Sequence, residues 1–265
     1  MKKYFFYFLV IFISCEQKKE EDTSTLLPSK ETELKSLLNK YPDSMILKED
    51  LIQYYRENGN YPQALRETND AIKTNNNNPR FYDILATLQF EDGDTTNAIK
   101  SFEKAISFYP APEYLISLGT LYAHTKNSNA ISVADLLVKE EKKKKEKEAY
   151  FIKGLYYNNI NEKEKAITFF DKALMLNYTF MEAYREKAIA LYDMEKYKEA
   201  LVVVDKAVTL QNNFEEGYYY KGKILEKLNR KDEAIESYER ALLYDHEYSE
   251  AKDALMRLGV KKPVY

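Results

Sequence analysis

Residues suited to metal binding or thiol chemistry are few in this chain: two histidines, His124 and His246, and a single cysteine, Cys15. A zinc centre needs three or four His, Cys or carboxylate ligands at compatible spacing, and these positions do not offer it. No G-x-S-x-G elbow, complete phosphate-cradling loop or dinucleotide fingerprint is present. Glu and Asp pairs are plentiful, as on any solvated helix surface, and none stands out as the carboxylate pair of a hydrolase. The chain therefore reads as a non-enzyme with no catalytic, cofactor-binding or metal-binding residues, and its chemistry must be that of binding.

Binding residues need elements to hold them, and these come from a repeat. The stretch from Lys147 to Tyr178 places Tyr150, Gly154, Tyr157, Ala166, Phe170 and Ala173 at fixed intervals. Thirty-four residues on, the same places hold Tyr184, Ala188, Leu191, Ala200, Val204 and Ala207. A further step gives Tyr218, Gly222, Leu225, Ala234, Tyr238 and Ala241. One alanine column runs Ala64, Ala98, Ala130, Ala166, Ala200, Ala234; a second, seven residues later, breaks only at Leu137.

Each unit contains two runs of apolar residues at helical spacing, separated by a polar turn such as Glu57-Asn58-Gly59-Asn60 or Glu91-Asp92-Gly93-Asp94. Pro62 suits the first turn of a second helix, where its missing N–H has no partner to lose. The unit is a helical hairpin. Its small residues mark where two helices approach closely, since a larger side chain there typically costs about 1 to 3 kcal/mol. One hairpin cannot bury its apolar face alone, so neighbours stack into a solenoid.

These columns resemble the tetratricopeptide repeat family, whose pattern is an aromatic, a Leu-Gly or Leu-Ala pair, Tyr, Ala, an aromatic, Ala and often Pro. The resemblance implies an all-α fold, an α-solenoid of about six hairpins in a right-handed superhelix with capping helices at both ends. The units are expected at 45–78, 79–111, 112–146, 147–180, 181–214 and 215–248. The third is degenerate, keeping Leu118, Gly119, Tyr122 and Ala130. Leu34, Leu37 and Leu38 form one face of an N-terminal capping helix within 31–44, and Ser249 to Leu258 an amphipathic cap within 249–265.

The same resemblance implies where a partner binds: the first helix of each hairpin lines the concave face. Its contact positions fall on Phe151, Leu155, Asn158, Arg185, Ile189, Tyr192, Tyr219 and Lys223, an apolar and aromatic centre flanked by cations. That combination suits an extended peptide or a partner helix with apolar anchors and some acidic character. The first repeats offer Arg56, Glu57, Arg80, Asp83, Thr87 and Phe90, a more polar set. The clamp that holds a carboxyl terminus in some family members needs Lys and Asn, but Glu49, Gln53, Phe151 and Leu155 stand at those places.

Residues 1–14 carry Lys2 and Lys3, then an apolar run from Tyr4 to Ile13. Ten apolar residues fall short of the roughly 20 that span a bilayer. With Ser14 before Cys15 this resembles a bacterial lipoprotein signal, which implies lipidation of Cys15. Phe12 stands where that signal usually has Leu. Residues 15–30 read as a flexible tether. The run Lys139 to Glu148, all charged, reads as a solvated extension beside a joint where the solenoid could change pitch.

Net charge is −3, which gives no basic stripe for nucleic acid. The expectation is a membrane-anchored scaffold in a bacterial cell envelope, at the outer membrane, binding another protein or a peptide segment. A capture protein for an exported peptide or glycan is the second reading; an enzyme with an unrecognised site is the third.

Overall fold

The computed structural model describes residues 29–140 and 144–260. The leader, Cys15 and most of the expected tether lie outside the described residues. Among those described, fourteen helices and no strands occur. Helix α1 (Lys30–Lys40) precedes six antiparallel pairs: α2 (Met45–Glu57) with α3 (Tyr61–Thr74), α4 (Pro79–Glu91) with α5 (Thr95–Phe108), and α6 (Pro112–His124) with α7 (Asn129–Glu140). There follow α8 (Glu146–Asn159) with α9 (Lys163–Leu176), α10 (Met181–Asp193) with α11 (Tyr197–Leu210), and α12 (Glu215–Lys227) with α13 (Lys231–Tyr244). Helix α14 (Ser249–Arg257) closes the stack.

The alanine columns do what their spacing requires. Ala64, Ala98, Ala130, Ala166, Ala200 and Ala234 are each fully buried at the crossing within a hairpin. Glycine serves where even a methyl group would collide. A Cβ on Gly154 would stand 2.6 Å from Phe170 Cδ1.

The turn inside each hairpin repeats one backbone state. Gly59 (φ 69°), Gly93 (φ 87°), Lys126 (φ 58°), Asn161 (φ 67°), Glu195 (φ 58°) and Asn229 (φ 58°) all lie in the left-handed region. Glycine takes that state freely, whereas Lys and Glu do so against the clash of Cβ with the carbonyl. The stack imposes the turn even where the local sequence opposes it.

Helix entry is achieved in two ways along the chain. In the first half, Ser44, Asn60, Asn78 and Asp94 accept hydrogen bonds from backbone N–H groups of the helices they precede. In the second half, Phe180, Phe214 and Tyr248 occupy the cap positions of α10, α12 and α14 with no side-chain cap bond. Phe180 and Tyr248 pack back on the preceding first helix, with centroids 5.0 Å from Phe151 and 5.1 Å from Tyr219. Apolar packing replaces polar capping as the device that fixes the entry.

A ladder of ion pairs also joins successive repeats in the second half. Lys153 meets Asp135 at 2.6 Å, Lys187 meets Asp171 at 2.6 Å and Lys221 meets Asp205 at 2.7 Å. All are partly exposed, so each contributes roughly 0–1 kcal/mol.

At the degenerate third repeat the expected joint is well packed. Helix α8 lies against both α6 and α7. Gly119 permits this: a Cβ there would be 3.0 Å from Ile152 Cδ1 on α8. A large buried cluster runs unbroken from Ala86 to Phe170 across this point. Of the charged run, residues 141–143 are outside the described set; Lys139 and Glu140 end α7, Lys144 and Lys145 form a turn, and Glu146 to Glu148 begin α8.

Candidate functional site on the concave face

First helices of successive hairpins line the concave side, and the expected contact residues divide there by what they touch. Leu155 is 2% exposed within the central cluster, so it is core. Phe151 is wedged between Phe170 and Phe180, at 5.9 and 5.0 Å, and serves the packing between repeats. Leu155 is thus removed from the groove, whereas Phe151 remains partly buried beside the aromatic at the cap of α10.

Asn158 and Arg185 are engaged in bonds between elements. Lys163 donates to Asn158 Oδ1 at 2.8 Å and also reaches Asp193 at 2.7 Å. Arg185 bonds Glu186 at 3.1 Å and pairs with Glu216 on α12. Ile189 is partly exposed on α10.

The remaining three converge. Tyr192, Tyr219 and Lys223 line a cleft of about 640 Å³ together with Glu226, Lys227, Glu250, Asp253, Ala254 and Arg257. Lys223 Nζ lies 5.4 Å from the Tyr192 centroid, 5.6 Å from Tyr219 and 5.3 Å from Tyr220. Three rings share one ammonium, each supplying the negative face of its quadrupole. No carboxylate reaches Lys223 within ion-pair distance among the described residues. Burial raises the phenols of Tyr192, Tyr219 and Tyr220, so all three are neutral hydrogen-bond donors at neutral pH.

The floor of this cleft is braced. Arg257 forks onto Glu226 at 2.9 and 2.8 Å, and Tyr238 donates to Glu226 Oε1 at 2.6 Å. Burial and that carboxylate together raise Tyr238 far above the usual phenol range. Glu226 thus fixes α12, α13 and α14 relative to one another.

Gly217 and Gly222-Lys223 have most of the spacing of a phosphate-binding loop, yet they lie inside helix α12. The glycines face Phe214 and Tyr238, with no loop to cradle an anion. Their smallness serves packing.

Sequence reasoning missed the wall contributed by α14. Glu250, Asp253 and Arg257 stand thirty-four residues after Glu216, Tyr219 and Lys223, so continuing the repeat into the cap was the available signal. It also understated the first half of the groove. Phe90, half exposed, and Ile116 line an apolar cleft of about 390 Å³ with Thr87, Phe102, Thr120 and His124. Beside it, Arg80 bridges Glu49 at 3.1 Å and Asp83 at 2.8 Å, and burial raises the Asp83 carboxyl despite that guanidinium.

Among the described residues no group of three His, Cys, Asp or Glu could hold a metal ion. No described helix is long and apolar enough to cross a membrane.

A superhelical stack of short helical hairpins with a groove on its concave side is an α-solenoid, the class of protein-binding repeat arrays. Models of the tetratricopeptide repeat match residues 49–114, 147–180 and 215–248, and these segments are tetratricopeptide repeats. Proteins built of such repeats are generally interaction scaffolds, typically without catalysis. Human tetratricopeptide repeat protein 21B is 30% identical over 141 residues, which is 51% of this chain and 10% of that protein. The chain thus spans about a tenth of the curated relative it matches.

Among solved structures, a tetratricopeptide repeat protein from Parabacteroides merdae superposes with a TM-score of 0.73 at 20% identity, over 86% of this chain and 90% of that one. PilW, described as a type IV pilus biogenesis factor, gives 0.63 at 18% identity, over 80% and 99%. At these identities the likeness is one of fold.

Proposed function

We propose that this chain is a scaffold that holds an extended polypeptide along its concave face, anchored to a membrane through Cys15 in a bacterial cell envelope. One observation carries the binding role: Lys223, at the mouth of the cleft between α10, α12 and α14, rests on three tyrosine rings and has no carboxylate partner. An ammonium so held is oriented and partly desolvated, ready for a carboxylate from a partner chain, while Tyr192 and Tyr219 offer apolar area and hydroxyl donors. The apolar cleft at Phe90 and Ile116 seats a second anchor further along the groove. The anchoring role is supported by the leader and by Ser14-Cys15.

The test is crosslinking capture from intact cells with the native chain, Lys223→Gln, Tyr192→Ala and Cys15→Ser. A defined polypeptide should be captured by the native chain and lost with Lys223→Gln and Tyr192→Ala, while their melting curves stay close to native. Equal capture by both variants would refute the cleft as the site. Capture of nothing of polypeptide size would favour a small exported peptide or glycan as ligand. Cys15→Ser should leave the membrane fraction and lose lipid label; retention of both would refute the anchor.

A further inference from the structure

The clefts along the groove show which places on a first helix face a partner. Besides the two already described, a polar cleft of about 320 Å³ lies between α2 and α4. Arg80 and Glu250 stand at one equivalent place, Glu49 and Asp253 at the next, and Asp50 and Ala254 beside them. Gln53 and Lys223, Arg56 and Tyr192, and His124 and Lys227 complete the set. The register carries these places through every repeat.

Charge at these places is lopsided. On α2 and α4 they hold Glu49, Asp50, Glu57, Asp83 and Glu91 against Arg56 and Arg80. On α6, α8 and α10 they hold Glu113, Glu148, Glu182, Glu186 and Asp193 against Arg185. From α12 onward the sides nearly balance, with Glu216, Glu226, Glu250 and Asp253 against Lys223, Lys227 and Arg257. The groove therefore carries more negative charge than the whole chain, whose net is −3 with histidine neutral. Neighbouring elements do not reverse this. Lys145 and Lys147 flank Glu148, Lys144 precedes them, and Lys163 on α9 reaches Asp193. Turns inside the hairpins add Asp92, Asp94, Glu162 and Glu195 against Lys126, Lys196 and Arg230. The connections on the opposite rim add Asp43, Asp245 and Glu247 and, the one before α8 aside, no Lys or Arg.

The guanidiniums of the groove are already taken. Arg80 serves both Glu49 and Asp83, Arg185 serves both Glu186 and Glu216, Arg56 pairs with Glu91 and Arg257 with Glu226. Asp50, Glu57, Glu113, Glu182, Glu250 and Asp253 have no cation within ion-pair distance among the described residues, and all six are exposed. Of the cations at these places only Lys223 and Lys227 lack a carboxylate, both in the last repeat. Glutamate in a first turn suits the helix dipole whatever a groove holds, which covers Glu113, Glu182 and Glu250. Glu57, Glu91 and Asp193, however, are the last residues of α2, α4 and α10, where the same dipole opposes a carboxylate. Arg56 answers Glu91 and Lys163 answers Asp193, whereas Glu57 receives the neutral amide of Gln53 at 3.0 Å.

From this juxtaposition we propose that the polypeptide held in the concave groove is a basic one. Its Lys or Arg side chains lie along the first helices of repeats one to five, against the unpaired carboxylates. An apolar side chain enters the cleft at Phe90 and Ile116, and a carboxylate is confined to the end that meets Lys223. Such a partner presupposes that the groove is a polypeptide site, as proposed above. An acidic surface alone names no ligand, but this one encloses an apolar cleft with a half-exposed phenylalanine, which a metal ion would leave empty. Charge complementarity selects among chains, since an acidic segment would meet like charge along five of the six repeats. The acidic character expected of the partner from Arg185 and Lys223 shrinks to one end, because Glu186 and Glu216 occupy Arg185.

The experiment measures fluorescence anisotropy of three labelled peptides with the full chain in non-ionic detergent. The peptides share one Phe, one Leu and one Asp, and differ in carrying Lys, Gln or Glu at their remaining positions. The Lys peptide should bind at least about ten-fold more tightly than the Gln peptide, with the Glu peptide weakest, and the margin should shrink as salt rises. Asp50→Asn, Glu57→Gln, Glu113→Gln and Glu182→Gln should each weaken the Lys peptide about two- to five-fold and leave the Gln peptide unmoved. Glu164→Gln and Glu199→Gln, exposed on α9 and α11, should change neither. All six side chains are exposed, so melting should stay close to native. Equal affinity for the Lys and Gln peptides, or preference for Glu, overturns the basic partner and leaves the polypeptide groove standing. Equal losses from Glu164→Gln and Glu199→Gln overturn it too, since the attraction would then belong to the whole surface. Binding of none of the three removes the polypeptide reading itself, and this proposal with it.

Discussion

Tyr238 occupies the space that a side chain at Gly222 would need: a Cβ there would come within 2.6 Å of Tyr238 Cε1 and 2.8 Å of Cδ1. The ring is fully buried, and its hydroxyl is tied to Glu226. It cannot swing aside without breaking that bond. Gly222→Ala should therefore destabilise the array by about 1–3 kcal/mol, and Gly154→Ala beneath Phe170 by a similar amount. Ala166→Leu and Ala200→Leu should fall in the same range. Denaturant melts of the four variants check this, and unchanged midpoints would mean that the hairpins cross elsewhere.

Glu195 holds a φ of 58° in the turn between α10 and α11, where the first two hairpins use glycine. Glu195→Gly should raise stability by about 0.5–1 kcal/mol, since relief of the left-handed strain exceeds the added freedom of the unfolded chain. Lys126→Gly should act likewise. Chemical denaturation at equilibrium reads the difference, and a loss of stability would show that these side chains make contacts worth more than the strain.

Tyr122 is pushed up to about 12 by burial first and by the Glu103 carboxylate that accepts its hydrogen bond. Tyr238 shifts in the same direction for the same causes. A phenol raised in the folded state favours folding fully below about pH 10, and that contribution drains away as pH climbs from there towards 12. Tyrosinate absorbance should rise in a first wave from exposed tyrosines and a later one coincident with loss of helix. Tyr122→Phe should move the alkaline midpoint of unfolding upward; no movement would count against the buried pair.

Glu31 on α1 is held below the usual carboxylate range by the Lys35 ammonium and by the Tyr55 hydroxyl, which donates to it at 2.7 Å. A depressed carboxyl stabilises above its unfolded pKa of about 4.3 and loses that stabilisation as pH falls through the folded value. Below about pH 4 the N-terminal helix should detach from α2 before the hairpins melt. Hydrogen exchange of α1 backbone amides against pH measures this. Glu31→Gln should make α1 equally labile across the range, and an unaltered profile would exclude Glu31 as the tie.

Much of the fold was legible in the sequence because it depends on volume at fixed intervals. A buried alanine at each hairpin crossing is a local demand repeated every thirty-four residues or so, and Ala64, Ala98, Ala130, Ala166, Ala200 and Ala234 display it openly. The site was only partly legible because exposure is decided by neighbours. Phe151 and Tyr219 occupy equivalent positions, both are partly buried and each receives an aromatic from the next cap, yet of the two only Tyr219 borders the cleft of Lys223. What separates them is the element stacked beyond: α10 with the rest of a repeat behind it, or α14, whose Glu250, Asp253 and Arg257 border the cleft. Composition at one position carries no sign of that difference.

The buried block from Ala86 to Phe170 also decides how the chain would yield to force. A protein-degrading or translocating machine gripping either terminus would first undo the smaller interiors shared by the end helices. On reaching the middle it would meet the largest of these interiors, whose helices must be surrendered together. Traction from both ends would therefore converge on the same stall, and the weakest motif in the sequence would lie within the last part of the molecule to let go.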